Sequence, residues 1–426
     1  MKRLILACAA GALVLVAVAI AGPRPGHLPR LPLVPQPHLA LGLAYRGKSD
    51  YLVRVDPRTL RPRGRGLNLP RCSSAAAFAP DGARLAFGGA DGRICLVGTK
   101  NLRLRRVLQT GAKGDVMALQ WIGSRLLALV GGEQDTLVAV DPGSSLVVAR
   151  RTLEGSLQQT AVTSSGLLLL LGPAEGIGAS RLVRFAPDGS LLQIATLDRI
   201  PSGFEFSGRE DEAGRHARPA LAVDRSGNRA FVVGGGTPVA EIDLMTSAVT
   251  YHDLSTPVSL LGKVHDWLEP AAEAKVPPDG PNREATWLEG GVLAVWGWND
   301  RSSIEGEHIH FWAEPAGLTL VDTYDWSARL LDSGATSMTV ASGNLLASSW
   351  LWDSAGDQPA GTGMTAYGPD GNRRFHLFGS RAILSVQALG RRAFIRGTRS
   401  RYSVIDLNSG RVLRSIAGEP PALLLP

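Results

Sequence analysis

The sequence predicts an all-β fold: a β-propeller of eight blades by count, with seven as the alternative. Three observations carry the prediction. A unit of apolar strand, Asp-Gly or Gly turn, second strand, turn and third strand recurs every 40 to 50 residues from about Pro37 onward, and that period is the mark of a propeller. The clearest copy is Ala75–Val107, AAAFAPDGARLAFGGADGRICLVGTKNLRLRRV. The two ends of the chain hold fragments that complete one another.

The elements follow in chain order. Met1-Lys2-Arg3 is a short basic segment, and Leu4 to Ala21 carries no charge. Lys and Arg stay on the cytoplasmic side, so the remainder is expected to be exported. Residues 1–21 are either a signal cut after Ala19-Ile20-Ala21 or a retained membrane anchor. Cys8 after Ile5-Leu6-Ala7 only loosely fits a lipid-attachment site. Residues 22–37 hold six prolines. They read either as an extended linker of about 3.1 Å per residue or as an unstructured N-terminus left by cleavage. Residues 38–426 form the propeller domain.

Alternating strands and turn residues mark seven complete units: Ala75–Leu108, Val116–Leu153, Leu157–Leu197, Pro219–Leu254, Ala285–Leu331, Thr336–Phe378 and Ile383–Ile416. His38–Leu69 offers three strands, and the C-terminal GEPPALLLP offers one of the type that opens the other units. Pairing them makes an eighth blade and removes two open edges, so Ala422–Leu425 is expected to zip the ring. Two insertions break the rhythm. Pro201–Arg218 reads as a polar loop. Thr256–Arg283 contains Leu260, Leu261, Val264, Trp267 and Leu268 on one face at helical spacing, which predicts a short helix.

Phe78-Ala79-Pro80-Asp81-Gly82, Ala90-Asp91-Gly92, Phe185-Ala186-Pro187-Asp188-Gly189 and the ending YSVIDLNSGRVLRSIAGEPPALLLP resemble the repeats of WD40-like and YVTN-type propellers of bacterial exported proteins. The resemblance spans most of residues 38–426. It implies a binding platform and brings no catalytic residues with it. No blade has the Trp-Asp dipeptide in its usual place.

Cysteine use bears on the compartment. Cys72 and Cys95 lie outside the export segment, and an oxidising environment permits a bond between them. Geometry speaks against it, because non-adjacent strands stand about 9.5 Å apart and a disulfide wants Cα atoms within about 7 Å. The loop before the first strand of the unit is the route by which that gap closes. Otherwise both are small buried residues.

Charge is uneven. Arg46–Lys113 holds fifteen Lys and Arg against four acids, and Arg381–Arg414 holds eight against one. Ring closure would join them into one basic sector, including Arg61, Arg63, Arg65, Arg103, Arg105, Arg106, Arg391 and Arg392. Such a sector attracts an anionic membrane or wall surface, or its arginines only keep the rim soluble while their stems cover apolar strands. For an exported chain, nucleic acid is not the expected target. His265–Ala360 is the opposite, with fifteen acids against four bases and eight of the nine tryptophans. Trp296 and Trp298 alternate on one strand, as do Trp350 and Trp352, with Asp300 close by. Aromatic platforms beside acids suit a glycan or a cationic peptide, and tryptophan also fills blade cores. Glu305, Glu307, His308 and His310 form a weak candidate metal site; an exposed surface loop is the simpler reading. No G-x-S-x-G, H-E-x-x-H or P-loop occurs, and no cofactor is implied.

The expectation is a non-catalytic binding or scaffolding module at the cell envelope, with an envelope protein or glycan as partner. The alternative is a propeller hydrolase, lyase or quinoprotein-type enzyme with chemistry at the 300–310 loop or the central channel. Convergence of His216, His265, His308 and His310 with carboxylates would favour the enzyme.

Overall fold

The structure is a computed structural model that describes residues 40–424, apart from 47–48, 70, 206–214, 237, 255–279, 306–307, 354–358, 399–400 and 418–419. The N-terminal apolar run and the proline-rich segment lie outside the described residues. So does the stretch of the expected helix, Leu260–Leu268.

Among the described residues, thirty-four strands assemble into eight antiparallel sheets of four or five strands. The expected eight blades are therefore present. Numbered from the closing blade, blade 1 takes Ala40–Arg46, Ser49–Val55 and Pro62–Asn68 from the N-terminal part, and its innermost strand Ala422–Leu424 from the C-terminus. Leu41, Gly42 and Leu43 pair with Leu424, Leu423 and Ala422. Blade 2 spans Ala75–Gln109, blade 3 Asp115–Thr152, blade 4 Leu157–Ala217, blade 5 Ala220–His252, blade 6 Gly280–Asp332, blade 7 Ser337–Leu377 and blade 8 Ile383–Ala417. In each, the chain runs from the first, inner strand to the last, outer one.

The core lies in the seams between blades. Strand alternation turns apolar side chains to both faces of each sheet, and each face meets the next blade. Eight clusters result. Leu85 and Phe87 of blade 2 pack on Leu41 and Leu52 of blade 1. Ile94 and Leu96 of blade 2 meet Val116 and Val130 of blade 3. The pattern repeats around the ring until Phe394 and Val404 of blade 8 meet Val53 and Leu423 of blade 1. Burying a side chain such as Phe87, which is fully enclosed, contributes about 2–3 kcal/mol. The outer strands have no such cover: Arg103–Gln109 is exposed at every position but Leu108.

Three sequence expectations are corrected. Cys72 and Cys95 are bonded, with Cα atoms 6.1 Å apart. As expected, Cys72 lies before the first strand of blade 2, between Asn68 and Ala75, and the bond ties that segment to Cys95 on the third strand. Pro201–Arg218 is only in part a loop. Strand Leu191–Glu205 runs through its first residues, and Arg215–Ala217 adds a fifth strand to blade 4. Blade 6 begins at Gly280 rather than Ala285, so Gly280–Arg283 is strand.

Candidate functional site

Antiparallel order sorts the connections onto two faces. Turns joining strands one to two and three to four lie on one face. Turns joining two to three, and each blade to the next, lie on the other. The first face has only tight turns, such as Gly123-Ser124 and Ser164-Ser165. Among the described residues the long excursions are on the second: the hairpin extension of blade 6 and the ends of segment 349–363 of blade 7; the described residues that flank 206–214 and 255–279 also end on that face.

A polar cluster is built where blades 4, 5 and 6 meet on that face. The chain leaving blade 4 first crosses to the start of blade 6. The Arg218 amide donates to Pro281 O and the Arg283 amide to Arg218 O, both at 2.9 Å. Gly280 is required there, because a Cβ would stand 1.9 Å from His216 O. The crossing brings His216 to Asn282 and Asp300. The Asn282 amide nitrogen lies 2.8 Å from His216 Nε2 and donates to Asp300 Oδ2 at 2.7 Å. His216 Nε2 is 3.1 Å from the same oxygen. A neutral His216 can accept from Asn282, and a protonated one can donate to Asp300, so the trio is closed in either charge state.

Beneath it lies Arg283, 1% exposed. Its guanidinium donates to Asn282 O at 3.0 Å, Trp298 O at 2.9 Å and Asn299 Oδ1 at 2.8 Å. Burial, and then the nearby Arg301 charge, pull its pKa down to about 9. The neutral acceptors tie strand Gly280–Leu288 to strand Val292–Glu305, so Arg283 is the clamp of the extension. A Cβ at Gly297 would meet Asn282 O at 1.9 Å, which keeps that crossing close.

The extension continues as a hairpin, Val292–Glu305 with His308–Pro315, and docks on blade 7. His310 Nε2 is 2.6 Å from Asp353 Oδ1, and the His310 ring stacks on Trp312 at 5.2 Å. The Ala313 amide donates to Trp352 O. Arg301 donates to Glu314 at 3.0 Å, and Trp312 Nε1 to the same carboxylate at 3.3 Å.

The tryptophans divide. Trp296 is buried in the seam between blades 6 and 7 and is filler. Trp298 is half-buried, and its carbonyl serves Arg283. Trp350 and Trp352 are 37% and 52% exposed. They sit in an irregular segment tied by isolated bridges at Leu351 and Asp353, by the Trp350 amide donating to the Thr336 hydroxyl and by the Ala313 amide donating to Trp352 O.

The candidate metal residues are only partly in view. Glu305 and His308 face each other in register at the hairpin tip, but their side chains, and Glu307 altogether, lie outside the described residues. His310 is engaged by Asp353. Among the described residues no three His, Cys, Asp or Glu side chains gather as a metal site. His216 and His310 each have a carboxylate, but not a common one. Asp300 pairs in register with Ala313 and His310 with Ser303, so Asp300 and His310 point to opposite faces of the extension. His265 lies outside the described residues.

The basic residues line the rim. Arg61, Arg63, Arg65, Arg103, Arg105 and Arg106 are exposed on or beside the outer strands of blades 1 and 2. Some of them knit the rim together: Arg63 pairs with Asp56, and Arg106 reaches the Pro142–Ser145 turn of blade 3. Arg391 and Arg392 stand apart from these, at the tight turn between the first two strands of blade 8. Sequence reasoning passed over Asn282 and Arg283. The available signal was an arginine set in the apolar alternation of PNREATWL.

No protein-family model and no curated protein matches the sequence. Solved structures do match. Dihydro-heme d1 dehydrogenase NirN in complex with DHE aligns with a TM-score of 0.54 at 12% identity, over 93% of this chain and 76% of that one. BamB from Moraxella catarrhalis aligns at 0.42 and 10% identity, over 91% and 92%. The Cps50 (Swd1) β-propeller domain of Myceliophteria thermophila aligns at 0.42 and 13%, over 82% and 88%. At such identities a likeness speaks to fold alone, and what the chain is similar to is a class of propellers rather than one activity.

Proposed function

We propose that the protein is an exported, non-catalytic β-propeller that binds or scaffolds at the cell envelope, its partner seated on the face that carries the insertions. The observation that carries this reading is the placement of Trp350 and Trp352. They are exposed two residues apart on that face, beside a hairpin pinned by His310 and Asp353. Exposed tryptophan supplies large contact area at little entropic cost.

Export is supported by the uncharged run after Lys2-Arg3, by the Cys72–Cys95 bond and by the resemblance to YVTN-type exported repeats. A glycan or an envelope protein fits the aromatic, acid-flanked surface. The test is site-specific photocrosslinking of the full chain in envelope preparations. A photoreactive residue at Trp352 is expected to capture a discrete protein adduct or labelled wall saccharide. One at Met245, more open still on the tight-turn face, is expected to capture none. Equal capture at both positions, or none at Trp352, would overturn the reading.

A further inference from the structure

Blades 7 and 8 line a cavity of about 190 Å³ on the same face as the insertions, next to the segment that carries Trp350 and Trp352, since Arg381 bridges to Ala360 and Ala360 to Leu351. Its walls come from the loop that leaves blade 7 and from the second and third strands of blade 8. Arg381, Thr398, Arg401 and Ser403 supply the polar side, and Phe378 and Ile395 the apolar side. No lining residue is acidic. Among the described residues, neither Arg381 nor Arg401 has a carboxylate partner.

The loop is a built element. The Arg381 amide donates to Phe378 O, the Gly363 amide to Arg381 O, and the Ile383 amide to Ser349 O. Phe378 holds a φ of 69°, a region that bulky residues seldom occupy. Two guanidiniums are thus brought to one small cavity with hydroxyls beside them and no counter-charge. Both arginines are solvent-exposed at the cavity wall, free to turn toward an oxyanion that would accept charge-assisted hydrogen bonds from them. Blade 8 is also part of the basic stretch Arg381–Arg414, so the surrounding field draws anions in.

We infer that this cavity is a binding site for a compact oxyanion, a carboxylate or phosphate group carried on a short apolar stem that rests on Phe378 and Ile395. The volume is below the usual range of roughly 300–1,000 Å³ for drug-sized ligands, which limits the occupant to a small molecule or to the head group of a larger one.

The experiment is a calorimetric and thermal-shift titration of the full chain with three probes: inorganic phosphate, benzoate, and vesicles of phosphatidylglycerol. Saturable binding of phosphate or benzoate is expected. It should weaken at least tenfold in each of Arg381→Gln and Arg401→Gln, and be unchanged in Arg373→Gln, an exposed arginine on the outer strand of blade 7. Circular dichroism of each variant confirms folding, and Thr398→Val offers a second, neutral probe expected to weaken binding several-fold. Vesicle binding that depends on Arg381 and Arg401 would identify the source as a lipid head group. Vesicle binding reduced equally by Arg373→Gln would mean diffuse adsorption and would overturn the site. Absence of saturable binding by all three probes would overturn it too.

Discussion

The two faces of the ring are made from the same repeat and behave differently. On the tight-turn face, aspartates close the turns. Asp406 accepts from the Ser409 and Asn408 amides, Asp243 from those of Thr246 and Met245, and Asp141 from Gly143. These bonds hold the carboxyls below their ordinary range. On the insertion face such local closure gives way to long-range contacts: Arg283 to Trp298 and Asn299, His216 to Asn282, His310 to Asp353, and Cys72 to Cys95. The difference teaches that short-range hydrogen bonds suffice to repeat a blade, whereas departures from the repeat need clamps drawn from distant sequence.

The sharpest way to test the comparison is to remove a core tryptophan and an exposed one. Trp296→Ala is expected to cost about 3–5 kcal/mol in chemical denaturation, as for other buried aromatics. The clamp comes next. Arg283→Ala should cost about 3 kcal/mol, by leaving the Asn282 and Trp298 carbonyls and the Asn299 amide oxygen without their donor. Arg283→Met fills the same space without a charge to bury, and a smaller loss is expected. If both variants match the parent protein in denaturation midpoint, the insertion face is not held by this residue. Reducing the Cys72–Cys95 bond should cost a further amount of about 3 kcal/mol on a chain-entropy model, read as a midpoint shift with and without reductant.

On the tight-turn face the effects are smaller and depend on pH. Asp224 is opposed by burial, yet the Ser226 hydroxyl and the Arg229 and Asn228 amides hold its pKa below the usual value. Asp224→Ala is expected to lose about 1–2 kcal/mol at neutral pH. A carboxyl lowered in the folded state stabilises above its unfolded pKa of about 3.9, and that contribution fades as pH falls through the folded value. The tight-turn face should therefore loosen below about pH 4, and in Asp224→Ala the acid dependence should be shallower. Hydrogen exchange of the turn amides, expressed as protection relative to the intrinsic rate at each pH, reads this directly, and unchanged protection between pH 5 and pH 3 would break the contrast between faces. The smallest effect belongs to Trp352→Ala, expected within about 0.5 kcal/mol of the parent in denaturation midpoint.

The blade count was legible because turn chemistry is local: Asp-Gly and Asn-Ser-Gly punctuate strands wherever they occur, and a leftover strand at one end matched a three-stranded fragment at the other. The two faces were less legible. Alternation placed Trp296 and Trp298 together correctly as strand neighbours, but it carries no information about which side meets blade 7. Trp350 and Trp352 looked like the same pattern and lie in irregular chain. The disulfide was obscured for a related reason. Strand spacing governs residues within the sheet, and it does not say how far the loop that carries Cys72 folds back. Asn282 and Arg283 escaped notice because the clamp depends on the crossing of Arg218, set by geometry between blades rather than by any motif.

The pairing of Leu41 with Leu424 has a kinetic side. The first strands to emerge during synthesis must wait for nearly the last before blade 1 is whole. Bringing chain segments together over several hundred residues carries an entropic penalty on the order of 5 kcal/mol, unless the intervening blades have already folded and done the bending. The ring should then assemble as an open arc that closes late. While it waits, the seams of blade 1 with blades 8 and 2 stand unfinished at the two ends of the arc. The interval before closure is the period in which two such chains could exchange their last strands, each completing the other's ring.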